Sequence, residues 1–343
     1  VMENIIALCN YKGIFGSKDY AKPYRSGMDK DILAKEFSKY GYKIKYINFA
    51  DINNREIPER QIIIYTSSED PGYKYKEFIE DVVYYLEICG VNVIPSFKYL
   101  RANNNKVFME LLRKIELSQE YQIDTKVFGC LEEALSEDLE YPLVIKSSKG
   151  ACGSGVYLVH NKDELIKYIK IVADTKNLKN DVHEIIRIHK YKGYIKNSSY
   201  REKFIIQKFI SNLKNDWKVY VFWDKIFVFY RPVLKKRVFK ASGGGYDNYK
   251  YGENANVPVG LFNFALEARK QLNVPNVSLD IAYDGLKFYL LEYQCVCFGT
   301  VGIARSNYYF KGEKDNWISY HNDETTESVY AYSIAKYIKH TKK

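Results

Sequence analysis

Long apolar runs are missing from this chain. Stretches such as residues 226–230 and 143–145 fall far below the ~18 residues that a membrane-spanning helix requires, so no span is expected. The first residues carry no basic segment followed by an apolar one and a small-residue cleavage site. The expectation is therefore a cytoplasmic protein. The six cysteines (Cys9, Cys89, Cys130, Cys152, Cys295, Cys297) are scattered through 343 residues and form no spaced framework. That usage fits reduced thiols better than disulfides, and Cys295-x-Cys297 lacks the second pair that a zinc site needs. Five histidines show no metal-ligand spacing, and no Ser-His-Asp or Cys-His arrangement suggests a covalent nucleophile. RNA-binding, zinc-finger and helix-turn-helix signatures are absent, as are repeats of fixed period.

What is present is a core-forming, basic composition. Hydrophobic residues make up 46% and charged residues 27%, enough for two or three domains. Lys plus Arg number 52 against 42 acids, a formal charge of +10. The lysines are dispersed, so the excess suits a small anionic ligand better than nucleic acid.

Strand-like and helix-like patterns alternate over the first hundred residues. Strands are expected at 4–9, 43–49, 61–66 and 91–95, with helices at 29–40 and 74–89 between them. This spacing argues for a Rossmann-like α/β unit with a largely parallel sheet over residues 1–103. A helix at 104–114 opens a second unit, 104–206, with strands at 125–128, 141–146 and 156–160 and a helix at 162–173. Residues 174–203 show weak periodicity and read as an insertion or mobile connection. The third unit, 207–343, follows the strand at 204–210 with hairpins at 218–231 and 277–297, a helix at 259–272 and a closing helix at 327–340. Hairpins with helices to one side indicate α+β architecture.

Three segments carry chemistry. Lys146 ends the apolar strand Tyr141-Pro142-Leu143-Val144-Ile145, where an unpaired ammonium would be costly unless a phosphate faced it. Gly150, Gly153, Ser154 and Gly155 follow, a loop whose backbone N–H groups could approach phosphate oxygens. It is not a Walker A loop, and a plain glycine-rich turn is the competing reading. Asp280 and Glu292 sit in apolar strands of one hairpin, with Gln294 one pleat beyond. Oxygen donors on one face suit Mg²⁺ bridged to phosphates, whereas exposed edge acids are the alternative. Opposition of the two acids requires an odd-numbered loop around Leu286, and a tight turn at Asp284-Gly285 would separate them. Finally, Lys218, Tyr220 and Phe222 share a strand face, Arg231 ends the return strand, and a basic stretch (Lys235, Lys236, Arg237) leads to Lys240, Ser242 and Gly243.

In this order the segments resemble the ATP-grasp superfamily, and among its members the carboxylate–amine ligases, over roughly residues 104–300. Tyr65-Thr66-Ser67-Ser68-Glu69-Asp70, residues 105–110 and residues 240–245 are similar to a bacterial branch often linked to cell-surface polysaccharide genes. The resemblance implies an ATP-grasp fold preceded by a Rossmann-like domain, with ATP and Mg²⁺ as cofactors. Its substrates would be a small-molecule acid and amine, with sugar-linked compounds and a homodimer left open. By position, Lys106, Lys146 and the Gly150–Gly155 lid would hold phosphates. Gln207, Lys208 and Phe209 would receive adenine, and Asp280, Glu292 and Gln294 the metal. Arg231 and Lys218 would act on the transferring group. Gln294 replaces the family's usual Asn and Lys218 its common Arg, and no acid between 207 and 215 is available for the ribose. Ser67, Ser68, Glu69, Lys240, Ser242 and Gly243 are candidates for the acid and amine, against a reading in which residues 67–70 only cap the following helix. A kinase acting on a hydroxyl and a non-catalytic nucleotide-binding module are the alternatives to a ligase.

Overall fold

The computed structural model describes residues 2–150, 153–234, 239–241, 245–314 and 316–342. The first sheet is parallel, in the order β2 (Tyr42–Asn48), β1 (Glu3–Cys9), β3 (Ile62–Tyr65), β4 (Asn92–Ile94). Its central strand β3 reads Ile-Ile-Ile-Tyr and is buried throughout, as a strand covered on both faces should be. α2 (Lys74–Ile88) places Ile79, Val83 and Leu86 on one face. The other face is covered by α1 (Lys30–Ser38), whose first amides are capped by Asp29, together with α10 (Thr326–Thr341). Thus the closing helix packs in the N-terminal core, through Ala331, Ile334 and Ile338 against Ile5, Leu33 and Phe37. Buried Glu327 fixes that return by accepting bonds from Lys18 Nζ and Asp29 N, each at 2.8 Å.

A short helix, α3 (Phe97–Ala102), leads to α4 (Lys106–Glu116). The second sheet is antiparallel: β5 (Thr125–Phe128), β8 (Phe204–Lys208), β6 (Leu143–Ser147), β7 (Val156–Val159). α5 (Leu131–Leu135) and α6 (Lys162–Val172) bury Leu131, Leu165 and Ile169 against it. Between α6 and β8 the chain forms α7 (Leu178–Lys190), capped by Asn177. The segment expected as an insertion or mobile connection at 174–203 thus contains a helix, which the sequence reading did not place. No apolar residue of α7 enters a hydrophobic core among the described residues.

The third sheet runs β13 (Phe288–Gln294), β12 (Asn276–Tyr283), β9 (Asn215–Phe222), β10 (Lys225–Pro232), β14 (Tyr308–Glu313), β15 (Asn316–His321), with β11 (Lys250–Tyr251) pairing β10. α8 (Leu261–Leu272) and α4 pack on one face, and α9 (Val301–Arg305) on the other. Sequence reading had no element at β14 and β15. Two packing facts also bear on the expected divisions. α4 buries Met109 and Leu112 in the core of this third sheet, and the 206/207 boundary falls within β8.

Candidate active site

A cleft of about 600 Å³ opens between the second and third sheets and is lined from both. Lys106, Lys146, Gly150, Gly153, Ser154, Gln207, Lys208, Phe209, Lys218, Arg231, Lys240, Asp280, Glu292, Gln294 and Glu69 all contribute to its wall. Residues from segments far apart in the chain are thus brought together at one cleft.

The third sheet supplies a locked charge network. β9 and β10 pair Asp216 with Arg231, and β12 pairs Asp280 with Lys218. Arg231 donates from Nε and Nη2 to Asp216 at 2.6 and 2.8 Å, and Nη2 lies 2.9 Å from Asp280 Oδ2. Lys218 Nζ lies 2.8 Å from Asp280 Oδ1. Burial alone would raise the Asp280 carboxyl, but Arg231 and then Lys218 outweigh it and hold it well below the usual carboxylate range. At Asp216 burial prevails over Arg231 and pushes the carboxyl up. Asp216 was missed as a site residue because, in sequence, it is one more acid before a strand. Its role depends on a partner 15 residues away.

Asp280 and Glu292 are direct partners across β12 and β13. The loop does not produce this by the expected odd count. Tyr283 pairs with Phe288 around the four residues 284–287, where Asp284 Oδ1 accepts from Leu286 N and Lys287 N at 2.8 and 2.9 Å. That register alone would place Asp280 opposite Leu291. A bulge between the Asp280 and Ile281 pairings restores the opposition. Gln294 Nε2 reaches Glu292 Oε1 at 3.4 Å, and Lys106 Nζ lies 3.8 Å from the same oxygen. The donor set contains only oxygens and opens to the cleft, with Glu292 28% exposed. Buried Asp280 Oδ1 has an ion-pair contact with Lys218 but no aligned hydrogen bond. Facing carboxylates at the cleft, with Glu292 Oε1 held only at 3.4 and 3.8 Å, fit Mg²⁺ completed by phosphate oxygens. Among the described residues no cluster of three His, Cys, Asp or Glu is present, so protein ligands alone would not complete such a site.

Lys106 and Lys146 line the cleft beside this network. Lys106 is the first residue of α4, after the N-cap Asn105. A helix start favours anions and penalises a cation, so an ammonium there points to an anionic ligand. It is nearly buried and donates to Gly150 O at 3.0 Å. Lys146, at the end of β6, donates to Gln207 Oε1 at 2.7 Å, and Gln207 Nε2 donates to Thr125 Oγ1 at 2.9 Å. Burial lowers the Lys146 ammonium to about 8, against upward pulls from Glu110 and Glu292. The side chain of Gln207 therefore orients Lys146, and the chain leaves the sheet only at Phe209. Val144, Val156, Ile210 and Leu213 make that end of the cleft apolar. Lys240 donates to Gly153 O at 3.0 Å.

Not every candidate lies here. Gly155 is absent from the cleft wall. A Cβ on it would come within 2.2 Å of Ser147 Oγ, and its φ is +66°, so close packing of the lid turn, not phosphate approach, requires glycine. Ser67 lines a separate cavity of about 30 Å³ with Tyr65 and Cys297. Ser68 donates to Asp70, which accepts from Tyr75 N at 3.1 Å, so the capping reading accounts for both. Glu69 alone of this trio reaches the cleft. Ser242 and Gly243, with Lys235, Lys236 and Arg237, lie outside the described residues.

No family model and no curated protein matches the sequence. Solved structures do match. The D-cycloserine synthetase DcsG aligns over 97% of this chain and 99% of its own, at 10% identity and TM-score 0.52. The fold is ATP-grasp. A RimK-domain ATP-grasp protein from Sphaerobacter thermophilus covers 98% of this chain and 99% of its own, at 14% identity and TM-score 0.48. D-alanine–D-alanine ligase from Bacillus anthracis covers 86% and 87%, at 14% identity and TM-score 0.45. In the ATP-grasp frame the two walls of the cleft are the antiparallel sheet β5-β8-β6-β7 and the larger sheet carrying the acids.

Proposed function

We propose that this chain is an ATP- and Mg²⁺-dependent ligase that activates a small-molecule carboxylate as an acyl phosphate and joins it to an amine. The observation that carries the reading is the gathering in one cleft of Lys106 and Lys146 with the Lys218–Asp280–Arg231–Asp216 network and Glu292. Among the described lining residues, six cations stand against four acids, an excess of two positive charges. A metal-bound triphosphate complements that balance.

In this reading, Lys106 and Lys146 meet the α- and β-phosphate oxygens, and the apolar wall beyond Phe209 takes the purine. Asp280, Glu292 and the side-chain carbonyl of Gln294 would hold Mg²⁺, which when bound supplies charge neutralisation across the phosphates. Arg231 and Lys218 face the transferring group. Because Asp216 and Asp280 already fix them, their charge is oriented before substrate arrives, which lowers the reorganisation cost of transition-state stabilisation. The substrate carboxylate oxygen attacks the γ-phosphorus and ADP leaves. The ammonium first gives one proton to solvent or a nearby base; the free amine then attacks the acyl carbon, phosphate leaves, and the second nitrogen proton follows the same way. Glu69 stands in the cleft as the counter-charge for an incoming ammonium.

ADP release measured over pairs of candidate acids and amines tests the proposal. Release of ADP and phosphate together with amide, only when both partners are present, supports it. ADP with a stably phosphorylated hydroxyl acceptor and no need for amine would make the chain a kinase and overturn it.

A further inference from the structure

Residues 175–199 form an appendage that lines neither the cleft nor any hydrophobic core among the described residues. Its base is clasped by a bridge between Asp174 and Tyr200 and by Thr175 N donating to Ser199 O at 3.0 Å. Inside, Glu184 is the hub: Arg187, Tyr194 and Asn197 all donate to it. Glu184 is the buried residue of α7, an inversion of normal helix burial. The apolar positions Leu178, Val182, Ile185, Ile186 and Ile188 are each between 44% and 87% exposed. All but Ile188 follow the i, i+4, i+7, i+8 spacing of one helix face. Exposed Tyr191 and Ile195 extend the apolar surface past the helix end.

Charge decides what covers this face. Between Lys176 and Lys196 there are six basic residues and two acids, one of them the internally paired Glu184. Lys179, His183 and Lys190 flank the apolar stripe on the helix, and the lysines of the segment are exposed. A second copy would bring like charges together, on a chain already carrying +10. An anionic lipid surface meets both demands: its headgroups pair with the lysines while its acyl boundary takes the stripe, the arrangement of interfacial amphipathic helices.

We infer that α7 is a membrane-surface docking element, laying its stripe of Leu178, Val182, Ile185 and Ile186 into an anionic bilayer interface. No residue of 174–200 lines the cleft.

The test uses the whole chain and sedimentation with vesicles of phosphatidylcholine alone or with roughly 30% phosphatidylglycerol. Two variants accompany it: Val182→Glu with Ile185→Glu, and a replacement of 177–197 by a short Gly-Ser turn that keeps the Asp174–Tyr200 clasp. The expected result is binding to the anionic vesicles, a partition coefficient at least about tenfold lower in both variants, and nucleotide affinity unchanged. Unchanged nucleotide affinity shows that the variants are folded. Failure of the wild-type chain to bind, or equal binding by the apolar-to-Glu variant, overturns the inference. So does a concentration-dependent oligomer that the same substitutions abolish, since the stripe would then belong to a second copy.

Discussion

On the proposed reading, Lys146 gives nucleotide binding an alkaline limb that can be calculated. Its ammonium is held near 8 by burial, more than two units below an ordinary lysine. An anionic phosphate facing it favours the protonated form, so the bound state must hold its proton more tightly than the free one. Affinity is then full below the free-state value and falls as pH rises through it. With a free value of about 8, the protonated fraction drops from roughly three quarters at about pH 7.5 to roughly a tenth at about pH 9, so the dissociation constant should rise about eightfold. ATP is already fully ionised across most of that window, which leaves the protein as the source of the slope. The same group acts oppositely on folding. A depressed lysine costs stability while it is protonated in the folded chain, so its penalty is relieved as pH climbs from about 8 toward 10.5. Falling affinity with rising apo-protein stability therefore cannot be mistaken for alkaline unfolding. Calorimetric titration with a non-hydrolysable ATP analogue in two buffers of different ionisation enthalpy checks both affinity and proton uptake. About half a proton should be taken up per nucleotide near pH 8. Lys146→Arg should bind with a flat profile, because a guanidinium stays charged. A pH-independent wild-type affinity with no proton uptake would refute the phosphate role of Lys146. The side chain does have a protein partner, Gln207 at 2.7 Å, so Lys146→Met should free that amide without exposing an unpaired charge, and its melting temperature should not fall.

Other residues yield equally direct expectations. Glu292→Gln should raise the Mg²⁺ concentration for half-maximal ADP release by about tenfold or more, and an unchanged requirement would remove Glu292 from the metal set. Asp216→Ala leaves buried Arg231 with Asp280 as its remaining carboxylate and should cost on the order of 3 kcal/mol in denaturant unfolding, with loss of turnover. Gly155→Ala should destabilise by about 1–3 kcal/mol through its positive φ and the clash with Ser147, and Ser147→Ala in the same chain should return part of it. Glu69→Lys should raise the KM for the amine while ATP affinity holds; KM values for acid and amine both unchanged by the substitution would leave Glu69 without a substrate role.

Much of the architecture was readable from local pattern. Apolar runs such as 62–65, bounded by turns and alternating with amphipathic helices, read as the buried parallel strands of the first sheet. A lysine ending an apolar strand and acids inside apolar strands announce charge that something must compensate, so Lys146, Asp280 and Glu292 were legible as candidates. Asn105 likewise marks a helix start through a short-range bond to the next turn. Tertiary structure decided whatever depended on distant pairing. One bulge beside Leu291 determines whether Asp280 meets Glu292 or is turned from it, because each one-residue slip moves a strand's side chains to the other face. Asp216 acquires a role only when β9 and β10 bring Arg231 beside it. The closing helix belongs to the first sheet through Glu327 and its contacts with residues some 300 positions earlier. Gly155 and α7 show the same division from the other side: their residue types were plain in the sequence, but whether space and solvent surround them was set by neighbours that only the folded chain assembles.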